Sequence, residues 1–145
     1  MVEIFYTVIY TTTKPLNQNN MSGGRFDYNQ RKIRYIADDV EHEIAKNGRP
    51  KTQRELDEEG WYRDSSWYEK YPEDLNHIKY SDEVIAEFKN GYELLRKAEI
   101  YAQRIDWLLS GDDGEDSFLD RIKDDLEALS AELNKKVYMV NDDED

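Results

Sequence analysis

Two long stretches in the C-terminal half of the chain repeat apolar residues at the spacing of an α-helix, with only five residues between them. Within 82–109 and 115–134 the apolar positions recur every three or four residues, which places them on one face of a helix. The connection, residues 110–114, reads SGDDG. Because so short a connection makes consecutive helices antiparallel neighbours, this half of the chain predicts a long helical hairpin.

Acidic residues in the connection predict a side-chain cap on the second helix. We expect Asp112 or Asp113 to be the N-cap and Glu115 to complete a capping box with Asp112. Gly111 should end the first helix in the left-handed conformation. Carboxylates also suit Mg²⁺ or Ca²⁺, but an EF-hand needs a Glu where this chain has Lys123. We therefore expect no metal site, with Asp112 and Asp113 as weak candidates only.

The N-terminal half predicts two further helices. Helical spacing of apolar residues favours a helix over 29–46, which Gly48 should end. A T-x-x-E capping box precedes a short helix expected over 53–59. Residues 61–80 are dense in aromatic side chains but have no period, so we expect an irregular connection that packs its aromatics onto the helices.

The two ends of the chain differ from this helical pattern. Residues 2–13 are β-branched and aromatic and predict a strand, and its only β-like match is 137–140. The predicted fold is therefore mainly α, a small helical bundle with a long hairpin, and a minor two-stranded element from the termini is one option. Pairing with a second copy is another. We expect one helical domain over 21–140 and a disordered acidic tail at 141–145.

Charge and the lack of cysteine exclude several classes of function. There are 33 Asp and Glu against 20 Lys and Arg, which gives a formal net charge of −13. Such a chain is repelled by nucleic acid and by anionic membranes, so neither is expected as a direct partner. Without Cys there is no disulfide, thiolate nucleophile or Cys-ligated metal. We find no apolar run that could span a bilayer and no secretion signal, so a cytoplasmic location is expected.

No motif for catalysis or cofactor binding is present. His42 has no second histidine at the spacing of a zinc-binding H-E-x-x-H motif, and His77 stands apart. The pair Gly23-Gly24 lacks the remainder of a phosphate-binding loop, and no G-x-S-x-G sequence occurs. We expect no cofactor, and the sequence favours a protein that is not an enzyme.

Two blocks of sequence resemble a family of small uncharacterised proteins from bacteria and their phages. They are MSGGRFDYNQRKIRYIADDVEHEI at 21–44 and YAQRIDWLLSGDDGEDSFLDRIKDDL at 101–126. The resemblance implies an intracellular protein from a phage or mobile element and implies no particular activity. The two blocks supply the candidate interaction or ligand site, which consists of Ser22, Gly23, Gly24, Phe26, Tyr28, Arg104, Asp106, Trp107, Ser110, Asp112, Asp113 and Glu115.

Members of the family that the chain resembles typically begin at the position of Met21. The resemblance therefore leaves two expectations for residues 1–20: a strand-like extension, or the product of a reading frame that starts upstream of the true initiator. Further along, Arg104, Asp106 and Trp107 fall within four residues of one another near the end of the long helix. We expect these three to form either one buried polar network or an exposed recognition face.

Three functions are compatible with these features. The first is a protein-interaction module whose partner is another protein, with a homodimer as one option. The second is a nucleic-acid mimic that inhibits a host defence or restriction protein through the carboxylates of Asp116, Asp120, Asp124 and Glu127. The third is a metal- or phosphate-handling enzyme that combines Asp112 and Asp113 with the loop 22–24, which requires the two blocks to meet in space.

Overall fold

A computed structural model of the chain describes residues 24–136, and most of these are helical. In chain order the elements are α1 (Gln30–Ala45), α2 (Gln53–Glu59), α3 (Ser65–Lys70), a 3₁₀ helix (Pro72–Leu75), α4 (Asp82–Leu109) and α5 (Glu115–Lys135). Between residues 24 and 136 the β structure is limited to one isolated antiparallel bridge, from Pro50 to Asn76. The predicted mainly α fold is confirmed.

Several sequence predictions fall outside the described residues. These are the strand-like segments 2–13 and 137–140, the acidic tail 141–145, and the first two candidate site residues, Ser22 and Gly23. Within the described part, the predicted helices over 29–46, 53–59, 82–109 and 115–134 are all found, with ends within one residue of the prediction.

The local signals at the ends of the shorter helices also act as predicted. Thr52 accepts a hydrogen bond from the backbone N–H of Glu55 at 3.3 Å, and the Glu55 carboxylate accepts one from the N–H of Thr52 at 2.9 Å. This reciprocal pair satisfies two N–H groups that the first turn of α2 cannot pair internally. Gly48 follows α1 with a φ of +71°, in the left-handed region where glycine carries no side-chain penalty.

The prediction for 61–80 was wrong in two respects. This segment contains α3, which Asp64 caps by accepting from the N–H of Trp67, and the 3₁₀ helix that Pro72 starts. Both elements are too short to show a hydrophobic period, so local capping forms them without a pattern. The aromatic side chains are also not all packed onto helices, because Trp61 is 85% exposed and lies edge-on to Tyr62.

The described residues group into two compact units. One contains residues 24–37 and 93–136, and the other contains residues 38–92. In the second unit, Ile44 and Tyr92 are buried. In the first unit the buried residues include three polar ones beside two apolar ones: Gln30, Asp106, Asp113, Ala37 and Leu129. Because burial of an unpaired polar group is unfavourable, the contacts of these three polar side chains matter most for how the first unit is held together.

The first unit contains the predicted helical hairpin. Across α4 and α5 the guanidinium of Arg96 binds the carboxylate of Glu132 at 3.0 Å, and that of Arg104 binds Asp125 at 2.6 Å. Residue numbers fall on one helix as they rise on the other, which is the register of antiparallel neighbours. The first turns of α1 lie along the part of α4 that contains Arg96 and Arg104.

The predicted side-chain cap on α5 was wrong. Its N-cap is Gly114, which has no side chain to accept a hydrogen bond. Asp113 is instead turned inward, towards Arg121 and Arg104. An ion pair that buries the carboxylate therefore replaces the expected cap. Gly111 does end α4 as predicted, with a φ of +83°.

Candidate functional site

The turn that precedes α1 is fastened to the last turns of α4. The backbone N–H of Phe26 donates to the carboxylate of Asp106 at 2.8 Å. The N–H of Arg25 donates to the hydroxyl of Ser110 at 3.0 Å. The sequence blocks 21–44 and 101–126 therefore meet in space, through four residues that belong to them.

Gly24 fits this contact for two reasons. Its φ is +68°, which favours glycine over residues with a side chain. A Cβ atom at this position would also lie 2.7 Å from an oxygen of Asp106, closer than van der Waals contact allows. The pair of residues that follows Phe26, Asp27 and Tyr28, also adopts positive φ angles of 53° and 61°. Such non-glycine conformations cost about 1–3 kcal/mol and persist where surrounding contacts hold them.

A second group of side chains fixes the loop between α4 and α5. The Asp113 side chain is 2% exposed, and it contacts the guanidinium of Arg121 and lies 3.7 Å from that of Arg104. Arg104 also forms a two-pronged hydrogen bond to Asp125, at 2.6 and 3.2 Å. That hydrogen bond raises the pKa of Arg104 above its usual value, so the guanidinium stays charged. The connection is held in one conformation by paired charges.

The expected grouping of Arg104 with Asp106 was wrong, because the two face different partners. Asp106 is 4% exposed and accepts from the turn before α1, whereas Arg104 faces α5. Arg104 does contact Trp107, with its guanidinium carbon 4.8 Å from the ring centroid. Trp107 remains 36% exposed, so a large aromatic surface stays available beside a fixed cation.

Beside Trp107 the first unit has an open groove of about 270 Å³ between α1, α4 and α5. Its walls are formed by Gln30, Arg31, Arg34, Glu99, Ile100, Gln103, Arg104, Trp107 and Asp125. Only Arg104 and Trp107 among these were in the predicted site. The others were missed because they come together through the pairing of α1 with α4, and no short motif marks that pairing. Tyr28 reaches this region through Arg31, whose guanidinium lies over its ring at 4.8 Å.

Two predicted site residues remain apart from these contacts. Asp112 and Glu115 are exposed on the connection and at the start of α5. Within residues 24–136 no three His, Asp or Glu side chains are grouped so that they could hold a metal ion. Each helix in the same range is too short or too polar to cross a membrane.

The second unit contains a larger cavity, of about 540 Å³, lined mostly by charged side chains. His77 Nε2 lies 2.6 Å from a Glu55 oxygen, which is within ion-pair distance. Burial alone would raise the pKa of Glu55, but hydrogen bonds from Thr52 and the charges of His77 and Arg49 lower it to about 2.

The carboxylate of Glu59, which lines the same cavity as Glu55, also has several partners. Lys51 donates to Glu59 at 2.9 Å, and the hydroxyl of Tyr68 donates to Glu59 at 2.7 Å. The hydrogen bond to Glu59 raises the pKa of Tyr68 to about 12. Because these charges compensate one another, the network holds the short helices of the second unit together.

Comparisons of the chain with models of protein families, with curated proteins and with solved structures found no match.

Proposed function

We propose that this chain is a small protein-interaction module whose partner binds at the end of the α4–α5 hairpin, over the groove beside Trp107. The observation that carries the proposal is the contact between Phe26 and Asp106, because it joins the two family-like blocks at this end of the first unit. Around that contact the buried carboxylates are occupied, while Trp107, Tyr28 and Arg31 present exposed surface.

The exposed residue types suit a protein partner. Trp, Tyr and Arg are the side chains that most often contribute most of the binding energy at protein interfaces. Here they are attached to a frame already held by Asp106 and by the Asp113 ion pairs. A frame that is ordered before binding loses less conformational entropy on association, which favours affinity. The resemblance to phage and bacterial proteins supports an intracellular partner, with a host protein as one candidate.

The enzyme hypothesis has less support. It requires the two blocks to meet, and they do, but only one of its two carboxylates is open to a ligand. Asp113 is enclosed by Arg121 and Arg104, where it holds the fold, and Asp112 alone is exposed. A single exposed carboxylate is a poor basis for a metal- or phosphate-handling site.

The nucleic-acid mimic has less support for a different reason. The carboxylates of α5 that it would use are exposed, but Lys123 and Arg121 are exposed on the same helix. The expected carboxylate spacing of about 5–6 Å is also wider than the 1.7 Å of helix axis per charge in duplex DNA. A solvated outer face explains the stripe without a partner.

The proposal is tested by quantitative affinity purification with the full-length chain, in cells where it is naturally expressed. The wild type is compared with Trp107→Ala and with Trp61→Ala, a matched control at an exposed tryptophan of the second unit. We expect a specific partner to be retained by wild type and control and reduced at least tenfold by Trp107→Ala. If the wild type and both variants recover the partner equally, and binding measured with the purified chain and partner agrees, a partner site at Trp107 is contradicted.

A further inference from the structure

We infer that the groove beside Trp107 receives a cationic side chain, the guanidinium of an arginine or the ammonium of a lysine, from the partner. This inference rests on the proposed function, since the cation belongs to the protein that binds there. It is carried by two buried hydrogen-bond acceptors in the groove wall that have no partner, one on Gln30 and one on Glu99.

Gln30 provides the first acceptor. It is the first residue of α1 and is 5% exposed. Its amide nitrogen donates to the side-chain oxygen of Gln103 at 3.2 Å, while its own oxygen is buried without a hydrogen-bond donor. Leaving such a group unpaired is unfavourable, so a ligand that supplies a donor is favoured at this position.

Glu99 provides the second acceptor. One of its oxygens lies 3.9 Å from the guanidinium of Arg34, which is beyond hydrogen-bond distance. The other oxygen is buried and has no donor. A carboxylate has room for about four hydrogen bonds, and an ionised one is a stronger acceptor than an amide. Glu99 is therefore the group in the groove with the largest unused capacity to bind a cation.

The two acceptors belong to neighbouring side-chain pairs between α1 and α4. Gln30 faces Gln103, and Arg34 faces Glu99. On each helix the two residues involved are four positions apart. Residues four apart on a helix have side chains about 5–6 Å apart. A guanidinium carries five donors in a planar fork, so one arginine side chain can offer donors to more than one acceptor.

Glu99 determines the sign of the ligand. Exchanging oxygen and nitrogen in the amides of Gln30 and Gln103 would keep their hydrogen bond and turn the unpaired acceptor into an unpaired donor. Glu99 has no such alternative, because an ionised carboxylate only accepts.

The arginines of the groove have their own contacts. Arg104 is bound to Asp125, and Arg31 lies over the ring of Tyr28. Arg34 faces the first oxygen of Glu99 and leaves the second one open. Glu99 would repel an anionic ligand, whereas its carboxylate would attract a cation.

The test is an NMR titration of the full-length, isotope-labelled chain, followed at the indole N–H of Trp107 and the side-chain amide of Gln30. The probe is N-acetyl-arginine amide, which presents a guanidinium with both backbone groups blocked, as in a protein. N-acetyl-citrulline amide is its uncharged isostere, and N-acetyl-glutamate amide is the anionic control. We expect saturable millimolar binding of the arginine probe, at least fivefold weaker binding of the citrulline probe and no saturation with the glutamate probe.

Two variants locate the binding. Glu99→Gln removes the charge and should weaken binding of the arginine probe at least fivefold. Glu93→Gln alters a carboxylate six residues away on α4 that is paired with Lys97, and it should leave binding unchanged. Because the buried oxygen of Glu99 has no hydrogen bond to lose, the backbone spectra of both variants should match that of the wild type.

The contrary outcomes are distinct. Equal binding of arginine and citrulline probes, binding of the glutamate probe, or no effect of Glu99→Gln would overturn the inference. If free arginine binds tenfold more tightly than the blocked probe, the ligand of the groove is a free amino acid and not a side chain of a partner protein, and the inference fails. If the partner from affinity purification depends on Trp107 and not on Glu99, the proposed function stands and this inference fails.

Discussion

The backbone N–H of Phe26 donates a 2.8 Å hydrogen bond to the carboxylate of Asp106, 80 residues further along the chain. This contact links the segment before α1 with the last turns of α4, and so it joins the sequence blocks 21–44 and 101–126. Hydrogen bonds to charged groups stabilise by about 1.5–3 kcal/mol, more than neutral ones. Asp106 therefore has a definite structural role, to hold the turn that carries Phe26 and Tyr28.

Asp106→Ala should lower the free energy of unfolding by about 1.5–3 kcal/mol, because the N–H of Phe26 loses its charged acceptor. Urea unfolding followed by circular dichroism measures this change. Asp120→Ala on the exposed face of α5 is the control and should change stability by less than about 0.5 kcal/mol. A similar, small effect of both substitutions would mean that the turn is not held by Asp106.

The helices of this protein could be predicted from the sequence because their signals are local. The ends of α2 and α4 follow from capping residues and apolar spacing within a few positions of each end. The role of Asp113 could not be predicted in this way. Capping depends on the next three residues, whereas its ion pairs depend on Arg121, nearly two turns into α5, and on Arg104 in α4.

The candidate site was predicted only in part for a related reason. Residues of the two blocks, Phe26, Asp106 and Ser110, do come together, which the sequence left open. The groove acceptors Gln30 and Glu99 were missed because they meet through the register of α1 against α4. A single sequence does not specify which turn of one helix lies beside which turn of another.

Gly24→Ala should destabilise the protein by more than 1 kcal/mol, since the residue has a φ of +68° and a Cβ would lie 2.7 Å from the Asp106 carboxylate. Gly91→Ala is the matched comparison, because Gly91 lies inside α4 and a Cβ there meets nothing within 4 Å. That substitution should stabilise the protein by up to about 1 kcal/mol through helix propensity. Thermal unfolding of the two variants beside the wild type should give melting temperatures that shift in opposite directions, and shifts of the same sign would refute the argument.

Asp113→Ala should destabilise the protein by about 1.5–3 kcal/mol, because it removes the carboxylate that pairs with Arg121 and with Arg104, while Arg104 keeps its contact with Asp125. Asp112→Ala changes the adjacent residue, which is exposed, and should have little effect. Chemical unfolding of both variants at neutral pH measures the difference. If both substitutions have equal effects, the acids of this loop act as a solvated cluster and not through the Asp113 ion pairs.

Glu55 should make part of the stability of the second unit dependent on pH. Its pKa in the folded chain is about 2, against an ordinary value of 4.5. Because the folded-state pKa is the lower one, the stabilisation is fully present above about pH 4.5 and is lost as the pH falls towards 2. Glu55→Gln removes this charge but keeps an oxygen that can accept from Thr52 and preserve the capping box. Urea unfolding at several pH values between 7 and 2.5 should therefore show a steeper loss of stability for the wild type than for the variant. Parallel pH profiles would show that the carboxylate of Glu55 is not stabilised by His77, Arg49 and Thr52 in the folded chain.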